Sequence, residues 1–208
     1  MRKFAMLVAL AVLFVPVVGL ADSIDFTISG GTTGSWSWAG GATPLSGSGD
    51  TVTASKNSSA PYVPVGSFTF TTGNYLGGTN PFNFGSGGSL EIAGISCGGP
   101  CFSGTFTEAS LFYNAGGGTF TFLGNYVSGS VSPWILSQLA FPGGTPVGTT
   151  GSLSATLYGT LDAANGGSGT FGSGDLIVTP VPEPATLTLL GSGLLGIAGL
   201  VRRRLWKV

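Results

Sequence analysis

Histidine is absent from the 208 residues, and several chemistries go with it. Without imidazole there is no Ser-His-Asp or Cys-His nucleophile system, and no histidine-held zinc or haem. Charge is also scarce. Asp, Glu, Lys and Arg make up 7% of the chain, against about a quarter in ordinary soluble domains. Six of the seven basic residues sit at the two ends, as Arg2, Lys3, Arg202, Arg203, Arg204 and Lys207. Between the ends, Lys56 stands alone against Asp22, Asp25, Asp50, Glu91, Glu108, Asp162 and Asp175, a net charge of −6. Such a surface repels phosphate, so nucleic acid is excluded as a partner. No apolar run between Asp22 and Pro180 is long enough to cross a bilayer as a helix. The positive mean hydropathy therefore does not describe a protein with many spans.

What is present in place of charge is glycine, 33 of the 38 lying in residues 22–180, together with Ser, Thr and large aromatics. Disorder goes with few aromatics and many charges, the reverse of this composition. The body reads as short alternating strands separated by glycine. Ile24–Ile28, Ser67–Thr72, Ser89–Ala93, Thr119–Leu123, Ser152–Tyr158 and Asp175–Thr179 alternate apolar and polar residues, as half-buried strands do. Pro44–Asp50 reads as a loop, and a Gly/Asn-rich loop is expected from Thr71 to Gly88. Trp134–Leu139 reads equally as a helical turn or a strand. About ten such runs with no long helical pattern predict an all-β domain, a β-sandwich or jelly-roll-like fold of short strands.

Chemical candidates in the body are few. Cys97-Gly-Gly-Pro-Cys101 is the one thiol pair, and its spacing differs from the two-residue gap of redox motifs. A structural disulfide is expected once the chain is exported. Glu91 and Glu108 are the body's only glutamates. Each occupies a polar strand position, where a solvated role is favoured over a glycosidase pair. Asp162–Ser168 reads as a hairpin turn, lacking the acidic spacing of a calcium loop. Trp36 and Trp38 alternate with serine and share one strand face. They belong either to the core or to a sugar-stacking surface. No catalytic group, metal or cofactor is expected.

The ends are more specific. Met1-Arg-Lys3 followed by apolar Phe4–Leu20 and Gly19-Leu-Ala21 has the three parts of an export signal, with cleavage predicted between Ala21 and Asp22. At the other end, Val181-Pro182-Glu183-Pro184-Ala185 precedes fifteen uncharged residues, Leu187–Val201, and then Arg202-Arg203-Arg204. As a helix those fifteen residues would rise about 22 Å, which Ala185, Thr186 and a snorkelling Arg202 bring near the lower limit for a single transmembrane span. The arginines would hold the C-terminal side in the cytoplasm. Residues 1–21 are thus read as a signal peptide, 22–180 as an exported domain, and 181–208 as a tail.

The order of Pro-Glu-Pro, apolar segment and basic cluster resembles the PEP-CTERM sorting signal of Gram-negative and related bacteria. That resemblance covers the tail alone. It implies recognition by an exosortase, an integral membrane transpeptidase-like protease that cuts near the motif, and insertion in the inner membrane before release to the cell surface or beyond. It further implies a setting in which exopolysaccharide is made, hence a structural or adhesive role or a carbohydrate-binding module.

Overall fold

The computed structural model describes residues 22–31, 33–114, 118–141, 150–162 and 164–179, with Gly193 alone beyond them. Ten strands carry these residues: β1 (Ile24–Ser29), β2 (Ser35–Trp38), β3 (Pro44–Lys56), β4 (Ser59–Gly77), β5 (Phe82–Phe84), β6 (Gly87–Gly94), β7 (Gly99–Asn114), β8 (Thr119–Val131), β9 (Thr150–Asp162) and β10 (Gly166–Thr179). One short helix, α1 (Pro133–Gln138), and a 3-10 turn at Ile95–Cys97 complete the set. The fold is all-β, as the alternation predicts.

All pairings are antiparallel, and they run in a ring. β3 lies against β4, β4 against β6, and β6 against β7. β8, β9 and β10 follow in turn, and β1 joins β10 back to β3. The two shortest rows are shared. β2 fills the space between β3 and β10 beyond β1, and β5 does the same between β4 and β7 beyond β6. Closing the ring leaves the central staves no free edge.

Alternation then sorts the two faces. Inward residues fill the interior with rings from opposite staves: Phe26 of β1 meets Phe102 of β7 at 5.4 Å, Phe70 of β4 meets Phe122 of β8 at 4.9 Å, and Phe68 meets Phe171 at 6.1 Å. Leu90, Ile92, Leu111, Leu157, Leu176 and Val178 close the gaps and are buried. Outward positions on β8, β9 and β10 are mostly hydroxyl and amide side chains, among them Thr121, Asn125, Ser152, Ser154, Thr156 and Ser173. This is the inverse of an outer-membrane barrel, which turns its apolar band outward.

The strands are not uniformly short, since β4 runs 19 residues and β7 runs 16. Glycines that punctuate the sequence sit inside strands because neighbouring backbone or, at some positions, an aromatic ring takes the space of their side chain. A Cβ on Gly47 would run into the Phe70 ring, and one on Gly124 into the Phe106 ring. For the same reason Pro44–Asp50 is part of β3 rather than a loop. The expected loop after Thr71 holds the end of β4 and all of β5.

Trp134–Leu139 is settled as a helix by its start. The Ser132 hydroxyl accepts from the Trp134 amide at 3.2 Å and Pro133 takes the first helical position, where its missing amide proton costs nothing. Ile135 buries the inner face of this turn.

Candidate functional site

Trp36 and Trp38 do not form a sugar-stacking surface. Both are core residues, 2% and 3% exposed. The Trp36 indole N–H donates to the Tyr158 carbonyl at 2.9 Å, and that of Trp38 to the Thr43 carbonyl at 3.0 Å. Trp36 packs edge-on against Phe120, and Trp38 against Tyr75, Phe82 and Phe84. β2 is a stave of the ring, so its apolar face is turned inward. A pair of indoles on one strand face has the same spacing whether that face meets water or the core.

The two glutamates are not brought together either. Glu91 of β6 pairs with Ser103 of β7, and Glu108 lies five residues further along β7, about 16 Å at ~3.3 Å per residue. A glycosidase pair needs about 5–9.5 Å. Glu108 accepts from the Asn125 side chain at 2.7 Å on the outer wall. Asp162 is occupied structurally: the Ala164 amide and the Asn165 side chain donate to its carboxylate and hold its pKa below the ordinary value. Among the described residues no group of three acidic or thiol side chains is placed to hold a metal.

Cys97 and Cys101 form a disulfide with their Cα atoms 5.2 Å apart. It closes the turn between β6 and β7, where Gly98 takes a left-handed φ of 68° that favours glycine. Cys101 is fully buried and the Ser132 amide donates to its carbonyl at 2.8 Å, which ties the turn to the start of α1.

One concavity escaped the sequence reading. At the mouth of the barrel formed by the β4–β5 and β7–β8 connections, a groove of about 410 Å³ is lined by Thr79, Asn80, Phe82, Tyr113, Thr160 and Leu161. Tyr113 is 45% exposed and its ring meets Phe120 at 5.4 Å. Asn80 is held by the Tyr113 backbone, donating to its carbonyl and accepting from its amide. Among the described residues no charged side chain lines this groove. Only chain closure joins these elements, and no local pattern announces it.

At the opposite pole the chain enters and leaves. Ile24 of β1 faces Val178 of β10. Asp22, the first residue after the predicted cleavage, is ion-paired with Lys56, and its carboxyl also accepts from Asn57 at 3.0 Å. These contacts hold its pKa below the ordinary value, the Lys56 hydrogen bond contributing most. Ala21, the motif Pro182-Glu183-Pro184, the apolar stretch except Gly193, and Arg202–Arg204 lie outside the described residues. Among the described residues no helix is long and apolar enough to cross a membrane.

No curated protein and no solved structure matches this chain. One family model does: that of the PEP-CTERM protein-sorting motif, over residues 180–204. The matched segment begins one residue after β10 ends and contains the Pro-Glu-Pro, the apolar run and the arginines in order. The chain thus carries the PEP-CTERM protein-sorting motif, which marks an exported protein anchored by its C-terminal segment and sorted through an exosortase.

Proposed function

We propose that the barrel is a non-enzymatic cell-surface or extracellular component, structural or adhesive, delivered by its tail. The observation that carries this reading is the distribution of side chains across the barrel wall. The interior is packed with aromatic rings, and the outer wall presents mostly neutral hydroxyl and amide groups. A wall of that kind forms many weak, uncharged contacts and stays folded across wide changes of ionic strength, since few of its contacts are screened by salt. The tail would span the inner membrane as a short helix until the exosortase acts. Deleting residues 180–208 in the native host tests delivery, and deleting the whole gene tests the role. The expected results are loss of the protein from the surface fraction and weakened cohesion of the cell layer. An unchanged cell layer with a normal surface fraction in the parent strain contradicts the structural reading.

A second reading, binding of a neutral polysaccharide, is favoured by the uncharged groove at Tyr113. An exposed ring flanked by Thr79 and Thr160 offers a stacking face and hydroxyl partners together. Retention on insoluble polysaccharide by the parent and by Tyr113→Ala separates the two, since the structural reading predicts equal retention.

A further inference from the structure

β1 and β10 are antiparallel neighbours, so the body begins and ends side by side at one pole. The same pole gathers the β3–β4 hairpin at Asn57–Ser58, the disulfide-closed turn and α1. Five residues, Pro180–Pro184, separate β10 from the span that begins at Ala185. Fully extended they reach about 18 Å at ~3.5 Å each. A tail inserted in the bilayer and still uncut would hold the end of β10 within that distance of it.

Among the described residues, two large apolar side chains stand exposed at or beside the pole's turns. Ile95 is completely exposed on the 3-10 turn, and Tyr62 is 60% exposed near the start of β4. The Ile95 turn is held in place by the disulfide and by buried Cys101. The Tyr62 hydroxyl donates to the Ser58 carbonyl at 3.2 Å, which fixes the ring while leaving it uncovered. Most of the pole's charges are turned inward or paired, while Glu91 stands exposed in the same surface concavity as Ile95 and disfavours anionic lipid. Lys56, the body's lone cation, holds Asp22, and buried Asp25 accepts from Ser23 and Ser58. Tyrosine and branched aliphatic side chains both partition to the boundary between headgroups and acyl chains. Tethering makes that encounter intramolecular, so two side chains suffice where a free protein would need more.

We propose that the pole bearing Ile95 and Tyr62 rests on the membrane surface while the tail is attached, with both side chains in the headgroup boundary. The barrel folds in this position without releasing either end, because its first and last strands are neighbours. The opposite mouth, with the Tyr113 groove, then faces away from the lipid. The contact is apolar and requires no anionic lipid. This inference rests on the reading of the tail as an anchor.

The test uses the full chain in phosphatidylcholine nanodiscs containing a lipid with a nitroxide on its headgroup, read by amide NMR. The expected result is loss of signal at residues 59–64 and 94–99 and none at Gly40, Gly41, Thr160 and Leu161. The double variant Tyr62→Ser/Ile95→Ser should restore the signals, with near-UV circular dichroism confirming that it folds. Uniform loss over both poles, loss at the Tyr113 mouth, or loss that persists in the double variant overturns the proposal while leaving the anchor intact. A chain that fails to enter the discs overturns the anchor itself.

Discussion

The barrel and the tail use apolar residues in different ways. In the barrel they alternate with Ser, Thr and Gly, as in Ser-Trp-Ser-Trp of β2 and Phe-Thr-Phe-Leu of β8. Every second side chain faces water, and the rest are covered by the other staves. Between Leu187 and Val201 the apolar run has no such alternation and ends in three arginines. The barrel has one cation, and the last seven residues of the chain have four. The alternating pattern needs distant strands for its burial, whereas the unbroken one belongs to the matched sorting segment. The two regions should therefore fail separately, one in folding and the other in delivery.

The largest effect is expected in delivery. Replacing Pro182, Glu183 and Pro184 together by Ala should abolish tail removal in the native host, seen as a precursor that keeps its C-terminal peptide. The melting temperature of the barrel should be unchanged. A lowered melting temperature would break the separation. In the barrel, Trp36→Ala removes a buried indole that meets Phe120 and bonds to Tyr158. It should cost about 3–5 kcal/mol in urea unfolding, while any folded fraction still loses its tail.

The disulfide comes next. Cys97→Ser with Cys101→Ser opens a short loop and should lower stability by about 2 kcal/mol, measured as a shift in the denaturation midpoint.

The smallest effects follow pH. Asp22 has a folded pKa below its unfolded value, so its contribution is present above about pH 4 and fades as pH falls through the folded value. Burial raises the Tyr126 pKa. Its contribution is complete below the unfolded tyrosine value of about 10 and is lost as pH climbs beyond it. Tyr126→Phe should therefore flatten the alkaline limb of a stability profile and leave the acid limb as it is.

Local patterns carried part of this account and topology the rest. Ile24–Ile28 and Ser89–Ala93 are legible because each alternates without interruption, and Glu91 marks the outer face by its charge. The sorting tail is legible because its signal is a short ordered string that needs no partner. β3 was hidden because Pro44, Gly47 and Gly49 look like loop residues, and only Phe70 and Ile28 packed over those glycines explain a strand there. The indoles of β2 were ambiguous, since alternation gives a face but not what covers it. The Tyr113 groove was invisible, being assembled from two connections and the end of β9, far apart in sequence.

The central claim is that two removable ends deliver a sealed barrel outside the cytosol. Mass spectrometry of the protein from the surface fraction of the native host tests it most directly. The expected species begins at Asp22, has Cys97 and Cys101 oxidised, and lacks Arg202–Arg204. An intact chain from Met1 through Val208 with both thiols free would contradict it.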